Sequence, residues 1–284
     1  MRKFHGLIVT SAIVLAGCNL SSDLPTSQRL GFVTMTQFGA GDSATLNVVG
    51  SFFQPSATIQ PTIPNTASVG DTCNVFDYEG PPEPQPPIKL DNLNAGDSIV
   101  IKTDKATGKL IPIVNMAGSV DYRLADGRLP FTPGSKVTVT IPGDSGGFPA
   151  RSVEVSTFVA PTFTPIARHP TDDLQIHWSG GGATYGALQL EFLYSNTANT
   201  TPNKYMLCSL RDDGSYTIPR FVVGGEWDKS PDDAQSVSAI RWNTSIDQKS
   251  DVLLDVLVQV QVPVVPLEDP APPAEGDLRA ISIR

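Results

Sequence analysis

The sequence predicts an all-β protein, built as two Ig-like antiparallel β-sandwich modules in tandem. Three observations carry that expectation. Apolar residues recur at every second position in short runs from Leu30 onward, the spacing that sets one face of a strand on a core and the other in water. Turn signals rich in Gly, Asp and Asn separate the runs. The composition agrees: 25 Pro and 24 Gly against 17% charged residues leave little room for long helices, while 40% hydrophobic residues supply a core.

Arg2 and Lys3 open the chain, and an apolar run from Leu7 to Leu15 follows, broken only by Thr10 and Ser11. A basic start and roughly 7–15 apolar residues read as a secretory signal, too short for a membrane span of about 20 residues. The run closes on Leu15-Ala16-Gly17-Cys18, which resembles the lipobox of bacterial lipoproteins. The resemblance implies a diacylglycerol on the Cys18 sulfur, removal of residues 1–17, and no cofactor besides that covalent lipid. In enterobacterial lipoproteins an Asp after the lipidated Cys favours the inner membrane; here the position is Asn19, so the resemblance implies the outer membrane. Residues 18–29 are polar and suit a flexible tether.

The first module is expected over residues 30–160. Leu46, Val48 and Phe52 share one parity, as do Ile99 with Ile101, Val137 with Val139 and Ile141, and Val153 with Val155 and Val159. Turns are expected at Gly39-Ala40-Gly41-Asp42, Asn94-Ala95-Gly96-Asp97 and Ala125-Asp126-Gly127. Gln54 to Thr72 shows no period and reads as a loop or a poorly marked edge strand, and the proline run from Pro81 to Pro87 as an extended connector. Three prolines between Val159 and Pro170, namely Pro161, Pro165 and Pro170 itself, place the boundary near residue 160.

The second module is expected over residues 161–284. Leu174, Ile176 and Trp178 share a parity, then Leu188, Leu190, Phe192 and Tyr194. From Val252 to Val262 every even position is Val or Leu, whereas odd positions include Asp255, Gln259 and Gln261. A helix would scatter those even residues around its circumference and a strand aligns them. One helical turn is expected within Ile218 to Val223, and a closing strand at Leu278 to Ile283. The stretch from Trp178 through Cys208 to Gly214-Ser215-Tyr216 also resembles uncharacterised secreted bacterial proteins, a likeness that implies no activity.

A formal net charge of −9 repels phosphate, so nucleic acid is not an expected partner. Membrane contact is then expected through lipid, with other envelope proteins or a surface glycan as further partners. After Cys18, Cys73 and Cys208 remain. An oxidising compartment allows a disulfide between them, and two buried thiols are the alternative.

Gly143-Asp144-Ser145-Gly146-Gly147 is similar to the nucleophile segment of trypsin-like serine proteases and satisfies the G-x-S-x-G of α/β-hydrolases. A serine attacks only when a base takes its proton. The trypsin-like order needs an upstream histidine, and the only one, His5, leaves with the signal. The hydrolase order permits His169 or His177 but needs a strand turning into a helix, where the sequence offers strand, proline and strand. A glycine-rich hairpin loop is the expectation, with no catalytic residue. No ligand spacing supports a metal site. Glu226-Trp227-Asp228-Lys229-Ser230-Pro231-Asp232 offers the one ligand-contact reading: Trp227 stacking on a sugar, with Asp228 and Asp232 beside it. The chain is thus expected to be a non-catalytic surface lipoprotein of structural or accessory role, the alternative being a glycan- or peptide-binding module in the second domain.

Overall fold

The computed structural model of the chain describes residues 28–55, 71–77, 90–114, 120–167, 169–179, 187–196, 201–264 and 266–267. The Cys18 segment, the proline run from Pro81 and the expected strand at Leu278 to Ile283 lie outside the described residues.

The strands of the first half are β1 (Arg29–Phe38), β2 (Thr45–Pro55), β3 (Thr72–Asp77), β4 (Leu90–Asn92), β5 (Ile99–Lys102), β6 (Thr107–Val114), β7 (Val120–Leu124), β8 (Leu129–Pro130), β9 (Lys136–Ile141) and β10 (Arg151–Ser156). There follow β11 (Ile166–Ala167), β12 (Leu174–His177), β13 (Ala187–Tyr194), β14 (Lys204–Arg211) and β15 (Ser215–Ile218). A single helical turn, α1 (Arg220–Val223), then leads to β16 (Ser236–Lys249), β17 (Val252–Val264) and β18 (Pro266–Leu267).

The chain is all-β, but it does not form two tandem Ig-like sandwiches. Among the described residues, fourteen strands share one mixed sheet, whose main path runs β10-β9-β5-β6-β7-β2-β1-β17-β16-β13-β14-β3. Two strands break the expected partition. β17 pairs in parallel with β1, Arg29 opposite Val252, and antiparallel with β16. β3, from the first half of the sequence, pairs with β14 of the second. An Ig-like module pairs its own strands with one another; here the hydrogen-bond ladder continues from one half into the other. Two small sheets, β11-β18 and β12-β15, complete the described structure.

The alternation works as the pattern requires. Leu46, Val48 and Phe52 are buried, and so are Ile99, Ile101, Val137, Val139 and Ile141. Val159 departs from its run: β10 ends at Ser156, and Val159 is exposed in the connection that follows. The side chains divide into two main cores. The first draws Val33, Met35, Val48 and Val139 together with Leu254, Val256 and Val258 from β17. The second sets Leu188, Leu190, Met206 and Ala239 of the large sheet against Leu174, Ile176 and Ile218 of the small β12-β15 sheet. Because β17 also places Val264 in the second core, one strand serves both.

β10, at one end of the ladder, lies alongside β16 and β17 without pairing with them. Arg151 reaches Asp247 at 3.4 Å, and Asn243 donates to the Ser156 carbonyl at 3.0 Å. The shared first core needs that approach.

Candidate functional site

The Gly143–Gly147 segment joins β9 to β10 and its backbone is committed to packing. Gly143 N–H donates to the Ala95 carbonyl at 3.2 Å and Phe148 N–H to the Asn94 carbonyl at 2.8 Å, so the loop lies against the 94–96 turn. Tyr122, fully buried, fastens that turn from below: its hydroxyl accepts from Ala95 N–H at 2.8 Å and lies 2.8 Å from Asn94 Oδ1 and 3.0 Å from the Gly96 carbonyl. Glycine is required by contact, since a Cβ at Gly147 would stand 2.1 Å from the Asn94 carbonyl oxygen. Phe148 then enters the core beside Phe52, ring centroids 4.8 Å apart. Ser145 is exposed at the tip, between two strands. Among the described residues no histidine contacts it. His169 pairs with Asp232 at 3.1 Å, and His177 lies exposed on β12.

Trp227 is 2% exposed. Its indole packs T-shaped with the rings of Phe192 and Tyr194, at 5.5 and 5.2 Å, and a side chain so enclosed in the second core offers no platform to a sugar. Asp228 pairs with Arg220 of α1, and Asp232 with His169. The expected ligand residues are therefore divided between core packing and ion pairs.

Cys73 and Cys208 stand directly opposite each other on β3 and β14 and are joined by a disulfide. The bond closes a separation of 135 residues on the side of the sheet that faces the second core.

Two buried charged groups were not singled out by the sequence pattern. Arg241 on β16 and Asp212 in the β14-β15 turn meet at 2.7 Å, with side chains 2% and 1% exposed. Arg241 also donates to the carbonyls of Val159 at 2.9 Å and Ser179 at 2.5 Å. The indole N–H of Trp178 donates to the same Asp212 oxygen at 2.8 Å. One guanidinium thus ties together the connection after β10, the end of β12, the β14-β15 turn and the large sheet. The second group is Asp255. Its register partners are Phe32 on β1 and Ile246 on β16, in a small cluster with Leu30, Leu253 and Phe53. Burial pushes its carboxyl up to about 6, against a hydrogen bond from Thr244 that favours the charged form.

Among the described residues, no group of three or more His, Cys, Asp or Glu side chains is placed to hold a metal ion. No helix among them is long and apolar enough to cross a membrane. The face of the large sheet turned away from the two main cores is a mosaic: Thr34, Val49, Ile240, Trp242 and Leu257 are all half-buried there, among Ser, Thr and Gln side chains.

No protein-family model and no curated protein matches the chain. Among solved structures, the chain is similar to a DUF4785 family protein from Legionella pneumophila, at 9% identity and a TM-score of 0.24. The match covers 73% of this chain and 49% of that one, so the chain spans about half the length of that protein. At that TM-score the likeness carries no structural argument.

Proposed function

We propose that the chain is a non-catalytic lipoprotein of the bacterial envelope. In this reading Cys18 carries the lipid, and the β body supplies contact area to other envelope components. The observation that carries it is that the side chains which resemble reactive or ligand-binding groups are committed to holding the fold. The Gly143–Gly147 loop lies on the 94–96 turn, Trp227 fills the second core, and His169 is paired with Asp232. The mosaic face of the large sheet has no such duty, and its mixture of half-buried aromatic, aliphatic and hydroxyl side chains suits a protein surface. The anchor rests on Leu15-Ala16-Gly17-Cys18. Two or three acyl chains, at about 0.8 kcal/mol per buried methylene, hold a body of net negative charge at a membrane without help from basic residues.

Mass spectrometry of the native protein tests the anchor, with an acylated N-terminal peptide beginning at Cys18 as the expected result. Cys18→Ala should leave the protein in the aqueous phase on detergent partition. A native chain that keeps residues 1–17 and carries no acyl group overturns the assignment. Gentle-detergent purification tests the contact role, since a body without any stoichiometric partner has nothing to support.

A further inference from the structure

β3 is the last strand of the large sheet, paired on one side with β14 and, among the described strands, with no other. Cys73 is its only residue that is not exposed. Its non-covalent attachments are few. They include the ladder, the packing of Cys73 against the second core, an approach to α1, the Phe76 ring stacked on Tyr205 at 4.9 Å, and ion pairs near its two ends, Asp71 with Arg211 at 2.8 Å and Asp77 with Lys204 at 2.5 Å. Ion pairs with exposed members hold little. The covalent Cys73–Cys208 bond holds the two strands together however often the weaker contacts open. β14 differs from β3 in every respect: its far edge is paired with β13, and Met206, Cys208 and Leu210 are buried.

We propose that the Cys73–Cys208 disulfide is a redox latch on a detachable edge strand. A dithiol reductant opens it by exchange. One thiolate of the reductant attacks Sγ of Cys73, the less buried of the two residues, and the S–S bond breaks. Cys208 leaves as a thiolate and takes a proton from water. The second thiol of the reductant then attacks the mixed disulfide, releasing Cys73 as a thiol and leaving the reductant oxidised to its own disulfide. Two electrons pass to the pair. Once free, β3 separates as a unit and uncovers the edge of β14, while β13, β16 and β17 keep their ladders.

Hydrogen exchange on the purified full chain, before and after dithiothreitol, tests the latch. Exchange across 72–77, and at the β14 amides bonded to β3, should accelerate on the order of 100-fold, with 188–193 and 254–260 unchanged. In the reduced protein iodoacetamide should label Cys73 well before Cys208. The double variant Cys73→Ser, Cys208→Ser should show the reduced pattern without any reductant. Unchanged exchange at 72–77 in protein shown by mass to be reduced overturns the proposal. So does a general loss of protection, or a disulfide that dithiothreitol cannot open in the folded chain.

Discussion

Arg241 and Asp212 form an ion pair with both side chains out of water, and Trp178 donates to the carboxylate oxygen that Arg241 holds. Removing one member strands the other, which costs about 3–5 kcal/mol in such settings. Asp212→Ala should therefore lower stability by that amount in urea unfolding. The double variant Arg241→Met, Asp212→Leu should lose less than the two single variants together, because no charge is left alone.

Asp255 should make stability depend on acidity in the opposite sense to a salt-bridged carboxylate. Its carboxyl titrates at about 6 in the folded chain against 3.8 for the ordinary group. Its contribution is thus fully present below about pH 3.8 and lost as pH rises through about 6. At neutral pH the buried charge costs about 3 kcal/mol relative to the neutral acid. Asp255→Asn should be more stable than the native protein at pH 7, with the difference shrinking as pH falls to about 4. Paired urea titrations across that range measure it. A variant less stable at pH 7 would show the carboxylate to be held by favourable contacts.

Trp227 should act as a core residue. Trp227→Ala should cost about 3–5 kcal/mol and remove the edge contacts to Phe192 and Tyr194, visible as a loss of near-ultraviolet circular dichroism. A folded, equally stable alanine variant would return the indole to the surface.

Within the loop from Gly143 to Gly147, position should matter more than chemistry. Ser145→Ala should shift stability by less than about 0.5 kcal/mol. Gly147→Ala should cost about 1–3 kcal/mol, since its Cβ collides with backbone at Asn94 and no flexible atom can yield. Thermal melts of the two variants separate a structural loop from a nucleophile segment.

The strands themselves were legible because alternation is a local property. Leu174 and Ile176 of β12 and Trp178 just after it are buried, and the even residues of β17 are nearly all inside. α1 occupies four residues of the stretch expected to turn once. Partnership was not legible. Nothing in the residues of β1 specifies β17 as its neighbour, because a strand's apolar parity is satisfied by any partner of matching face. That gap produced the expectation of two closed modules. Asp255 marks the same limit: its odd position reads as solvent-facing until Phe32 and Ile246 are set beside it. The short β3 leaves Val75 and Phe76 exposed on opposite faces, so its residues mark no single core side, and only its cysteine hinted at a partner. Arg241 carried no signal in the sequence, since burial of a guanidinium requires an acceptor, and Asp212 supplies it from a distant turn.

The β1–β17 pairing has a consequence for biogenesis. A chain synthesised amino end first delivers β1 long before the strand that must lie beside it, so the first core waits with one wall missing until residues near 260 have emerged. Truncations at the carboxyl side should therefore ruin the early half of the protein as surely as the late half. A holding chaperone would then find its natural target in β1 and β2, whose apolar residues stay uncovered throughout that delay.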